Sequence, residues 1–118
     1  MIKQFMLSLV LLVFMVSFFG CKSEDVSEFY VVSTTGMVHD IVLNVAGDLV
    51  KSNALMGPGV DPHLYKASAK DVKKLSKADL IFYNGLHLES NMIELFEQFG
   101  DKKPAVPISK GISKKKLL

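Results

Sequence analysis

The stretch Phe29-Tyr30-Val31-Val32-Ser33-Thr34-Thr35-Gly36-Met37-Val38-His39-Asp40-Ile41-Val42 runs from a strand pattern directly into a helix pattern. Phe29 to Ser33 are aromatic and β-branched, the composition of a buried strand. Thr34-Thr35-Gly36 supplies a turn with hydroxyls able to cap a helix. From Met37 to Val50, the apolar residues Val38, Ile41, Val42, Val45, Ala46 and Leu49 recur at steps of three and four. That spacing predicts a helix with one buried stripe.

The same alternation repeats downstream. Ser52–Met56 reads as a second strand, followed by the loop Gly57–His63. Ser68 is placed to cap a helix starting at about Ala69, with Asp71 in its first turn. Val72, Leu75 and Ala78 form its expected inner face, Lys70, Lys73, Lys74 and Lys77 its outer one, and Asp79 ends it. Leu80-Ile81-Phe82-Tyr83 is a third strand and Asn84-Gly85 a turn. A helix over Glu89–Phe99 turns Met92, Leu95, Phe96 and Phe99 inward and stops at Gly100. Ala105-Val106-Pro107-Ile108 is a fourth strand, weakened by its proline. The order β-α-β-α-β-α-β predicts an α/β fold, a parallel sheet with flanking helices built from right-handed βαβ units. Ligands of such sheets sit at the carboxyl ends of the strands. The loops Thr34–Met37, Gly57–His63 and Asn84–His87 are therefore expected on one rim.

Gly57-Pro58-Gly59-Val60-Asp61-Pro62-His63-Leu64-Tyr65 stands out among these loops. Pro58 and Pro62 fix φ, and the residues before them are pushed to extended geometry. The loop therefore delivers one histidine stiffly, and a neutral imidazole is a common metal ligand. Asp61-Pro62 is turn chemistry. His39, His63 and His87 together could form a three-histidine zinc site, but no pair stands at helix-face or hairpin spacing. His39 and His87 read more simply as surface or hydrogen-bonded histidines. A phosphate cradle at Gly57–Gly59 is disfavoured: Pro58 removes a donor, and no lysine closes the loop. No enzyme motif such as Gly-x-Ser-x-Gly or His-Glu-x-x-His occurs, so the chain is not expected to be an enzyme.

The amino terminus reads as a processing segment. Lys3 precedes an apolar run from Phe5 to Phe19, followed by Gly20 and the sole cysteine, Cys21. The run suits a signal-peptide core better than a membrane span. A cysteine at that point is similar to a bacterial lipobox, with lipid modification of Cys21 and cleavage before it. Phe18 stands where leucine is usual; the alternatives are an ordinary secretory signal or an uncleaved anchor. The expected organisation is residues 1–20 leader, 21–28 polar tether and 29–118 a partial α/β lobe. Basic and acidic residues number 14 and 12, with no arginine and three lysines clustered at Lys114–Lys116. No nucleic-acid partner is expected from such a balance.

Thr34-Thr35-Gly36-Met37, the block Leu55–Tyr65 and Ala78-Asp79-Leu80-Ile81-Phe82-Tyr83-Asn84-Gly85-Leu86-His87-Leu88-Glu89 together resemble the zinc/manganese solute-binding lipoproteins of ABC transporters, which include the TroA- and ZnuA-type proteins. That resemblance implies two α/β lobes joined by a long helix, with the metal held between them by two ligands from each. It makes His63 the first metal ligand and implies that Asp61, Asn84, Gly85 and Glu89 line the cleft. His87 matches a position that TroA-like members also fill with histidine without using it as a ligand, and His39 falls where none is expected. The remaining ligands of a Zn²⁺ or Mn²⁺ site would come from later in such a chain, so the sequence reads as an incomplete amino-terminal lobe, not competent alone. An exposed sheet edge and uncovered apolar helix faces are expected of it. The implied partners are a divalent metal ion, an ABC permease and a membrane reached through lipid on Cys21, outside the cytoplasm. A surface adhesin and a non-functional gene fragment are the alternatives.

Overall fold

The computed structural model describes residues 28–117. The expected leader, Cys21 and the expected tether up to residue 27 lie outside the described residues, as does Leu118. Four strands form one sheet: β1 (Tyr30–Ser33), β2 (Lys51–Ala54), β3 (Leu80–Tyr83) and β4 (Ala105–Pro107). Their order is β2-β1-β3-β4 and every pairing is parallel, with Val32 beside Asn53 and Ile81 and with Phe82 beside Val106. Three helices connect them: α1 (Gly36–Ala46), α2 (Ala69–Lys77) and α3 (Ile93–Gly100). The α/β class and the parallel sheet expected from the alternation are observed. No helix among the described residues is long and apolar enough to cross a membrane.

Side chains alternate across a strand, so the sheet has two faces. Val32 and Ile81 enter the main core with Leu75 of α2, Phe96 of α3, Met56 and Met92. Val31 and Phe82 meet the other face, where Val38 and Val42 of α1 are buried.

The caps set the helix limits. Thr35 accepts from the Val38 amide at 3.3 Å and opens α1. The helix then ends at Ala46, short of the expected Val50. Gly47 adopts φ +52, sends its amide back to the Leu43 carbonyl, and a 3-10 turn over Gly47–Leu49 follows. The expected buried stripe is correspondingly narrower: Ile41, Val45 and Leu49 are exposed, the last two by 82% and 85%. Their spacing was helical, but no other element among the described residues covers that side. Val72, expected on the inner face of α2, is also exposed, because Leu75 and Ala78 alone reach the core. The second strand runs Lys51–Ala54 rather than Ser52–Met56, since Leu55 and Met56 bend under the core. The last helix begins with a 3-10 turn, Ser90–Met92, and the fourth strand stops at Pro107.

Candidate metal-binding rim

Parallel pairing places the loops after β1, β2 and β3 at one edge of the sheet. The chain crosses from β2 over β1 to β3, so the β1/β3 junction is the switch point at which open α/β sheets form ligand crevices. One buried carboxylate spans that junction. Glu89 is only 2% exposed and accepts from Thr34 Oγ1 at 2.6 Å, the Asn84 amide at 2.7 Å and the Gly85 amide at 3.2 Å. It thus ties the loop after β1 to the loop after β3. A buried carboxylate is tolerated when its oxygens are met by donors in this way.

The turn held by Glu89 has an unusual backbone. Gly85, Leu86 and His87 have φ of 83°, 55° and 63° in succession. Glycine tolerates such values, whereas leucine and histidine rarely adopt them. A Cβ on Gly85 would lie 2.9 Å from Pro107 Cβ and closer still to the Ser109 hydroxyl. Gly85 is therefore required twice, for its φ and for the close approach of the end of β4 and the residues just after it.

His63 lies on the third loop and is exposed. Its amide donates to Asp61 Oδ1 at 2.9 Å, which makes Asp61 the side chain of an Asx turn. Its carbonyl accepts from Asn91 Nδ2 at 2.8 Å. Two residues on, the Tyr65 hydroxyl donates to Asp71 Oδ2 at 2.8 Å. Asp71 also accepts from the Ser68 amide and hydroxyl at 2.9 and 2.6 Å, while its own amide donates to Ser68 Oγ, a capping box that opens α2. Burial pushes the Asp71 carboxyl up, but the Ser68 and Tyr65 donors and nearby Lys74 outweigh it, and the net shift is downward. Burial and the neighbouring Asp71 push the Tyr65 phenol up to about 12. A cavity of about 320 Å³ opens beside the His63 loop between Thr35–Met37 and Met56–Pro62.

The three histidines do not converge. His39 Nε2 lies 3.1 Å from Ser52 Oγ, the hydrogen-bonded role expected of it, and His87 is exposed on the left-handed turn. Among the described residues no three of His, Cys, Asp and Glu gather closely enough to hold a metal ion. Of the residues expected at the cleft, Asp61 is engaged in its own turn, and Asn84 and Gly85 offer their amides to Glu89. Asn91, whose partner is 28 residues away, and the bridging role of Glu89 have no local signal in the sequence.

The described residues form an α/β lobe with an exposed imidazole on a proline-stiffened loop at the carboxyl edge of a parallel sheet. The family model described as ZnuA, zinc-uptake complex component A, periplasmic, matches residues 31–117, and the chain belongs to that family. Relatives include the manganese-binding lipoprotein MntA of Bacillus subtilis, 45% identical over 82% of this chain and 31% of its own length. The zinc-binding protein TroA of Treponema pallidum is 52% identical over 70% of this chain and 27% of its own. The solved periplasmic zinc binding protein TroA from Treponema pallidum superposes with a TM-score of 0.74 at 48% identity, covering 76% of this chain and 32% of that one. The chain thus spans about a third of the length of the relatives it matches.

Proposed function

We propose that the chain supplies the first metal-binding arm of an extracytoplasmic solute-binding protein that captures Zn²⁺ or Mn²⁺ for an ABC permease. His63 is the direct ligand. The observation that carries this reading is the division of labour at His63. Its amide and carbonyl are both engaged, by Asp61 and Asn91, while its exposed imidazole has no hydrogen-bond partner among the described residues. The backbone of His63 is thus held in place, while its ring nitrogens are not engaged by the loop that carries them. The relatives named for zinc and manganese support the choice of cargo.

In this reading Asp61, Asn84, Gly85 and Glu89 shape the cleft wall by fixing its loops. A zinc site takes about four ligands, so one imidazole gives weak binding and the remaining donors belong to a second surface. The metal is cargo and no catalytic step is assigned. Lipid on Cys21 would hold the protein at the outer side of a bacterial membrane, within reach of the permease. Calorimetric titration of the chain with Zn²⁺, alongside His63→Ala, tests the assignment. Loss of zinc binding in the variant is expected; equal binding by both forms would overturn it.

A further inference from the structure

The only hydrogen bond given to the His63 loop by another loop comes from Asn91, among the described residues. Asn91 is exposed, and an exposed amide is ordinarily a mobile donor. Here it sits in the 3-10 turn Ser90–Met92, between two fixed points. On one side Glu89 is buried and bound to the loops after β1 and β3. On the other Met92 is 1% exposed within the main core. The Asn91 side chain is thus projected from a segment that cannot easily shift, and it reaches the carbonyl of the proposed ligand residue itself.

We infer that Asn91 is a positioning residue for His63: it transmits the placement of the β1/β3 switch point to the ligand arm. The strained Gly85-Leu86-His87 turn is part of the same support, because the carboxylate that holds it anchors the Asn91 segment. The three rim loops therefore form one mechanical unit, and the backbone that carries the imidazole is placed by residues that never touch the ring. The functional half of this inference rests on the metal-ligand reading of His63; the structural half does not.

Nitrogen-15 relaxation of the metal-free chain tests the structural half, comparing the parent with Asn91→Ala and with the near-isosteric Asn91→Asp. Order parameters at His63 and Leu64 are expected to fall from the rigid range near 0.85 towards about 0.6 in both variants. Those of β1 and β3 should hold, and the melting temperature should change little. Unchanged order at His63 would overturn the inference, and so would loss of order spread across the sheet, which would mark Asn91 as a general stabiliser. Zinc titration then tests the consequence. Asn91→Ala should weaken binding about threefold, in the range of one partly solvated hydrogen bond. Unchanged affinity would contradict positioning of the ligand through Asn91. If His63→Ala alone leaves zinc binding intact, the ligand reading fails while the relaxation result still decides the role of Asn91.

Discussion

At His63 the backbone carries the hydrogen bonds and the imidazole carries none among the described residues, the arrangement of a residue placed for something outside its own loop. Two residues on, Tyr65 fastens the same loop to Asp71, and this contact has a pH signature. The folded Asp71 carboxyl lies below its ordinary value of 3.8, so it stabilises the fold above that pH, and the contribution is lost as pH falls through the lower folded value. The folded Tyr65 phenol lies above its ordinary value of 10.0, at about 12; its contribution is complete below pH 10 and is lost as pH rises towards 12. Thermal melting followed from pH 2 to pH 12 should show both limbs. Asp71→Asn should flatten the acid limb and Tyr65→Phe the alkaline one; an alkaline limb that survives Tyr65→Phe would contradict this account. The turn role of Asp61 was legible in Asp61-Pro62, because the interaction is local. The Asn91 contact was not, because residues 28 apart in sequence meet only after the sheet has formed.

The helices show how far spacing can be read. In α2 the capping box was legible from Ser68 and Asp71 and is formed as expected. At the other end of α2 the decisive group lies on a different element. Lys103 Nζ meets the carbonyls of Leu75, Ser76 and Ala78, with the Ser76 contact at 2.6 Å, and stands over the Phe99 ring at 5.8 Å. A lysine there adds a donor to the carbonyls at the end of the helix and opposes the negative end of its dipole. Lys103→Met keeps the apolar stem and removes the charge. It is expected to lower stability by about 1 kcal/mol, read from the midpoint of urea unfolding; an unchanged midpoint would mean that the bonds exchange freely with water. In α1 the apolar period continued past the true end of the helix. The stop was written in Gly47, a residue able to take the left-handed φ that closes the helix, but a period counts apolar residues and does not see the cap.

Across the whole molecule the sheet is covered unequally. α2 and α3 close one face, while α1 alone lies on the other and leaves an apolar groove lined by Phe29, Val31, Ile41, Val45, Phe82 and Ile108. Contiguous apolar surface of this kind binds hydrophobic probes and promotes association. The chain should enhance the fluorescence of an anilinonaphthalene sulfonate dye in its folded state, and Ile41→Lys, at a half-exposed position, should reduce that signal without unfolding the protein. Equal fluorescence from both forms would place the apolar surface elsewhere. The fold class was legible because alternating strand and helix patterns leave few topologies. The uneven cover was not, because an apolar period marks a stripe able to be buried and carries no information on what lies against it. The rim formed by this topology gives the molecule its proposed purpose, and His63 is its centre. The most direct test is a zinc titration observed through the side-chain nitrogen resonances of all three histidines. His63 is expected to shift first, while His39, bound to Ser52, and His87 stay in place. Movement of His39 or His87 with His63 unmoved would contradict it.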